Sequence, residues 1–398
     1  MPSKKKILII SVLVSFSLIS SLGYLYFKKK GNEITSKTAE YLSKKTGRKT
    51  VIEKIYYSVL DGITIKNAQI KELSGEKNFL SFEKAEIKIN EKEFLKGNLL
   101  FEKARFYSGK ARITKENGIW NFQDLSNLLP PSRKPIHLVW NAKEISFENF
   151  DLYFYESDTG KEITLKNAFV SLSHRSSLGG NFSLSVSASA DALINGKLIS
   201  FEIDSQNELI YSYADLSALK TKTKLNKIFY SDISAQEALF KGEFMSLNKK
   251  EKRNYKTDLY LKDLFIPSSN DTYSSVMKYV GSVEKALGKN IAKEKEFILK
   301  EANFSAWTKD LKSEIKFSAD SNLISLNFSS VCDFNIRRDE IKADLSAKEL
   351  KLNFDAQSDF SKVKIKQDFS ETAAEAFKKA VLDFERNILI KILGKEDL

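Results

Sequence analysis

From Lys49 onward, apolar and polar residues alternate with period two through most of the chain. Ile63/Ile65 and Ile87/Ile89 do so first, followed by Ile145/Phe147 and Leu152/Phe154. Leu184/Val186, Phe201/Ile203 and Ile315/Phe317 continue the pattern, then Ile324/Leu326/Phe328, Ile341/Ala343/Leu345 and Leu352/Phe354. Successive side chains of a strand point to opposite faces. Each segment therefore predicts a strand with one apolar and one wet face, the habit of antiparallel sheet. Asn195-Gly196 is the clearest turn signal. A two-residue hairpin there sets Ala188, Ala190 and Ala192 opposite Ile203, Phe201 and Ile199 on one surface.

Four segments depart from this rhythm. Glu33–Thr46 places Ile34, Thr38, Tyr41 and Leu42 on one helical face and stops at Gly47. Asp271–Lys289 carries Tyr273, Met277, Val280, Val283 and Leu287 at helical spacing. Glu371–Leu393 does the same with Phe377, Val381, Phe384, Ile388 and Ile392, a stripe that suits a sheet edge or a membrane surface. Ile7–Phe27 is uncharged between Lys4–Lys6 and Lys28–Lys30, long enough as a helix to cross a bilayer. A cleaved signal would have a shorter apolar region and a small-residue cleavage site, so a retained anchor is expected behind a six-residue tail, residues 1–6. Pro130-Pro131 marks the best internal boundary, dividing 31–130 from 135–370, with the helical insertion at 271–289 and a terminal helix at 371–393. Gly62–Ala68 (GITIKNA) recurs as Glu162–Ala168 (EITLKNA), which suggests a strand-turn unit used repeatedly.

Composition narrows the function. Hydrophobic residues make up 42%, with 28 Phe, so the chain is built to pack. The net charge is +12, but lysines interleave with acids, as in Lys84/Glu86/Lys88 and Lys342/Asp344/Lys348. Such faces lack the one-sign patch that nucleic acid requires, and a modest positive excess suits anionic lipid headgroups better. The single Cys332 excludes an internal disulfide; in step with Phe334 and Ile336, it reads as buried filler. His137 and His174 lack ligand spacing, so no metal site is expected. The sequence holds no nucleophile elbow, phosphate loop or zinc-protease motif, which predicts neither catalysis nor a cofactor. Lysines are denser after the anchor than before it, and that bias alone favours a cytoplasmic body.

One ordered series of phrases remains. A Lys-flanked anchor leads to Tyr41-Leu42-Ser43-Lys44-Lys45-Thr46-Gly47-Arg48, then Gly62-Ile63-Thr64-Ile65-Lys66-Asn67 and Phe82–Ile89. Gly118-Ile119-Trp120-Asn121-Phe122-Gln123-Asp124-Leu125 closes it. Residues 4–125 resemble the amino-terminal region of the AsmA-like family of bacterial envelope proteins. Leu42, Thr46, Gly47, Arg48, Gly62, Asn67, Gly118, Trp120, Asn121, Phe122 and Asp124 carry the likeness as structural positions. The resemblance implies a mostly β fold with a few helices: a transmembrane anchor followed by an elongated, curled antiparallel β-groove with short capping helices. It further implies a single-pass inner-membrane protein with its body in the periplasm, against the charge bias. Phospholipid acyl chains would lie along the apolar face listed above, and another envelope protein could complete a bridge between membranes. About twenty strands at ~4.8 Å would make a trough on the order of 90 Å. A membrane-tethered scaffold for outer-membrane protein assembly is the competing reading. Strand alternation is the same in an open groove and a closed sandwich.

Overall fold

Alternating segments pair wherever a turn lets them, and here they do so for most of the chain. The computed structural model describes residues 30–58, 62–89, 101–124, 142–174, 180–194, 196–212, 215–247, 254–287, 296–309, 312–333, 335–336, 338–347, 350–359, 362–367, 378–379 and 382. The expected anchor at 7–27 and the Pro130-Pro131 boundary lie outside these residues, as does most of the helix expected at 371–393. Lys378, Lys379 and Leu382 of that last segment are helical. Among the described residues no helix is long and apolar enough to cross a membrane. The chain forms two compact units, Met1–Lys197 and Leu198–Leu398.

The first unit opens on helix α1, residues 30–46, ended by Gly47 at φ 67°. Its strands are β1 (Thr50–Ser58), β2 (Gly62–Lys71), β3 (Asn78–Ile89) and β4 (Phe101–Glu116), then the short β5 (Ile119–Trp120). β6 (Ala142–Glu156), β7 (Lys161–His174) and β8 (Asn181–Ile194) follow. The antiparallel expectation fails at one place: β4 and β6 run parallel, Phe101 beside Ala142 through Lys115 beside Glu156. Parallel neighbours need a connection that returns the chain to its starting end, and residues 117–141 supply it. α1 also treats the edge of the sheet. Thr35 Oγ1 and Ser43 Oγ accept hydrogen bonds from the Ile55 and Thr50 amides, each 2.9 Å, so donors on the outer edge of β1 are satisfied by the helix.

Beneath α1 lies the core of this unit. Ile52, Ile55, Ala68, Phe82, Ala85 and Phe150 are buried, with Ala39 and Leu42 of the helix packed on them. A crease crosses the strands beside this cluster. Asn67, Ser108, Asn149 and Asn167 take φ values of 46°, 50°, 55° and 51°, a region where Asn is among the few tolerated side chains. There the apolar phase slips by one residue, from Ile63/Ile65 to Ala68/Ile70. The repeated Lys-Asn-Ala phrase is therefore a mid-strand irregularity, not the strand-turn unit expected. In both copies its alanine is buried, Ala68 and Ala168. Gly109 follows Ser108, and an added Cβ would stand 2.3 Å from the Phe150 ring and 2.4 Å from the Ser81 carbonyl.

The second unit continues with β9 (Lys197–Ser212), β10 (Asp215–Tyr230), β11 (Ile233–Met245) and β12 (Asn254–Pro267). Helix α2 (Asp271–Leu287) follows, capped by Asn270, whose side-chain oxygen accepts from the Thr272 amide at 2.8 Å. Then come β13 (Glu296–Lys309), β14 (Lys312–Ser321), β15 (Ser325–Asp333), β16 (Arg338–Ala347), β17 (Leu350–Ser358) and β18 (Val363–Gln367). From β9 to β18 each strand pairs antiparallel with the next. α2 packs Val280 and Met277 on Leu323, Phe297 and Ile324, closing one end of the strands. Ile324 thus precedes its expected strand and serves the helix contact. Cys332 is fully buried, as expected, but β15 ends at Asp333; Ile336 is 66% exposed and does not continue its face.

Candidate functional site

Register assembles the predicted apolar residues into rows that cross the strands. In the first unit one row runs Ile55, Ile65, Ala85, Phe106, Phe147, Val170, Val186. The next runs Tyr57, Ile63, Ile87, Ala104, Ile145, Leu172, Leu184. Beyond the crease, Leu152 joins Leu165 and Ala190, and Phe154 joins Ile163 and Ala192. The face is partly spent on the core: Ile63, Ile65, Phe147 and Leu152 pack against the buried cluster. Rings interlock there, Phe82 on Phe106 at 5.2 Å, Phe106 on Phe147 at 5.0 Å and Phe147 on Phe150 at 5.1 Å.

In the second unit one row runs Ile203, Leu225, Ala238, Leu261, Ala302, Ala319, Leu326, Leu345, Leu352. Beside it stand Phe240, Leu259, Phe304, Phe317, Phe328, Ala343 and Phe354. Phe201 is two residues before Ile203 on β9, and Ile89 is paired with Phe101 on β3. For Ile89, Leu352 and Phe354 only the strand position is described. Ile315 is buried, but Phe240, Phe304, Phe317 and Phe328 are only half-buried, and Leu259 is 46% exposed. Each has a paired strand on both sides, so the exposure comes from the open face above them.

The opposite face carries ion pairs in both units, Lys224–Glu237 and Lys312–Asp333 among them in the second. The first has several. Lys166 meets Asp191 at 2.7 Å, Lys110 meets Asp151 at 3.7 Å, and Arg105 and Lys103 share Glu144. Burial pushes the Glu86 carboxyl up, yet hydrogen bonds from Lys84 and Tyr107 outweigh it and hold the group below the usual carboxylate range. In the second unit a concavity of about 610 Å3 lies across β11–β16. Leu259, Phe304, Phe317 and Phe328 of the apolar rows are part of its lining. Most of its lining alternates out of phase with them, including Lys241, Asp258, Asn303, Lys316, Asn327 and Lys342. It belongs to the polar face.

The signature residues converge on one structural joint. Arg48 is fully buried and donates from Nε and Nη2 to both carboxylate oxygens of Asp124, at 2.9 and 2.6 Å, and from Nη2 to the Asn121 carbonyl. Its guanidinium lies 4.6 Å from the Phe79 ring centre. Thr46 Oγ1 accepts from the Arg48 amide at 3.2 Å, and Asn121 donates to the Arg112 carbonyl at 2.9 Å. Asn117 and Gly118 take φ 53° and 76°, turning β4 into β5, and Trp120 stacks on Phe122 and Phe154, each at 5.6 Å. Gly62 is required because a Cβ would come 2.5 Å from the Ile87 carbonyl oxygen. The joint between two phrases 76 residues apart was not deduced from the sequence, although both partners stand in it. The crease was also missed; its signal was the repeated Asn before a small residue. Among the described residues no group of His, Cys, Asp and Glu is placed to hold a metal ion.

Searches of family models, curated proteins and solved structures return no match to this chain.

Proposed function

We propose that the apolar sheet face holds phospholipid acyl chains, and that the protein takes part in lipid transport along or between bacterial envelope membranes. The observation that carries this is the row Phe240, Phe304, Phe317 and Phe328, half-buried in mid-sheet where a closed sandwich would bury it completely. Drawing a sixteen-carbon chain into water costs about 13 kcal/mol at ~0.8 kcal/mol per methylene. An apolar strip removes most of that cost, because the chain passes from one apolar medium to another. No bond is made or broken, so the reading needs no catalytic group. The likeness of residues 4–125 to the AsmA-like family supports the same reading, with the body in the periplasm and residues 7–27 as its inner-membrane tether.

The test is solvent extraction of the purified full chain, expected to yield phospholipid near stoichiometric amounts. Phe317→Asp and Leu326→Asp should lose that lipid while β-sheet circular dichroism persists. A lipid-free extract, or unfolding by either substitution, would return the face to ordinary packing and leave the scaffold reading. An alkaline-phosphatase fusion after Leu398 tests the side of the membrane: activity supports the periplasm, inactivity the charge bias.

A further inference from the structure

At one place on the polar face of β11–β16, opposite charges stand side by side without an ion pair among the described residues. Lys241 and Asp258 are direct register partners, yet neither joins an ion pair. Asn303, Asn327 and Tyr260 likewise make no side-chain hydrogen bond among the described residues. Lys316 is engaged, with Glu314 at 2.5 Å. Elsewhere such neighbours form ion pairs, Lys103–Glu144 and Lys166–Asp191 in the first unit and Lys224–Glu237 and Lys312–Asp333 in the second. Here the unbonded groups line a concavity of about 610 Å3, a size typical of small-ligand sites.

We propose that this concavity binds a saccharide. Its three lysines are offset by two aspartates, so it presents no one-sign field to select an ion. Donors and acceptors are mixed instead. Amides and carboxylates can each engage neighbouring sugar hydroxyls, which both donate and accept. Tyr260, half-buried at the margin, offers a ring to the apolar C–H surface of a pyranose. The site stands on the far side of the strands from the apolar rows and does not depend on how those are used. The same chemistry would recognise a free glycan strand or the sugar head of a glycolipid.

The full chain, kept in a polyoxyethylene detergent because a maltoside would compete, is titrated calorimetrically with cellotetraose and chitotetraose. Saturable binding of one tetrasaccharide is expected, weakened about tenfold in N303A/N327A, whose exposed side chains hold no fold contact. Repeating the titration with an octyl tetrasaccharide separates the sources. Equal affinity assigns a free glycan, and a gain abolished by N303A/N327A assigns a glycolipid head. The proposal is overturned by no saturable binding, or by equal binding to the double variant. It is also overturned if inorganic phosphate displaces the sugar and K241Q/K342Q removes both, which would make the site an anion site.

Discussion

Phe150 in the first unit and Phe317 in the second are both mid-strand phenylalanines on the apolar face, yet the first is wholly buried and the second only partly so. The difference lies in what surrounds each one. Phe150 has a glycine cut away beneath its ring, a crease that brings neighbouring rows out of phase, and a helix-backed cluster alongside. Phe317 has only its strand neighbours, Phe304 and Phe328, in a row without a covering layer among the described residues. One composition thus yields one unit whose apolar face is largely spent on its own core and another whose phenylalanine row stays partly exposed.

The largest test of that contrast is Phe150→Ala, expected to cost about 3–5 kcal/mol because a closely packed buried ring is lost. Urea unfolding should show it, with hydrogen exchange accelerating across β3, β4 and β6 and little change in β13–β15. Asp124→Ala comes next, nearer 3 kcal/mol, since it strands the buried Arg48 guanidinium while Asp124 itself is 24% exposed. Its signature is loss of protection where α1 meets β1, at the amides of Thr50 and Ile55. Phe317→Ala should cost about 2 kcal/mol, less than Phe150→Ala because its ring is only partly buried. A cost near that of Phe150→Ala would mean that the second face is closed and would undo the comparison.

How far the sequence foretold this follows from the kind of signal each feature leaves. Period-two alternation marks faces, and the register puts Ile65 and Phe147 on one row, Ile63 and Ile145 on the next, and Phe317 and Phe328 on a third. The ends of strands were less legible: Cys332 was read in step with Ile336, yet the strand stops at Asp333 because that carboxylate bonds the Asn335 amide at 2.9 Å and turns the chain. The crease was hidden because a phase slip after Asn67 resembles a simple lapse in pattern. Whether a face is covered cannot be written in alternation at all. It depends on α1 and α2, and on which rows they reach.

The smallest effect concerns α1, the element that makes the first unit self-sufficient. Glu33 accepts from Lys30 at 2.7 Å and Lys37 at 2.8 Å, and these two bonds hold its pKa down at about 2, from an ordinary 4.5. A carboxyl whose folded pKa is depressed lends its stability fully above the ordinary value and loses it as pH falls through the lower one. The contribution of this pair should therefore be flat from neutrality to about pH 5 and fade between 4.5 and 2. Other acids titrate there too, so the readout is the difference in α1 exchange protection between the native chain and Glu33→Gln. That difference should be small, should vanish toward pH 2, and should shrink in high salt because the pair is exposed. A difference that grew on acidification would mean that Glu33 is held by burial and not by its lysines, and that α1 clasps the sheet in another way.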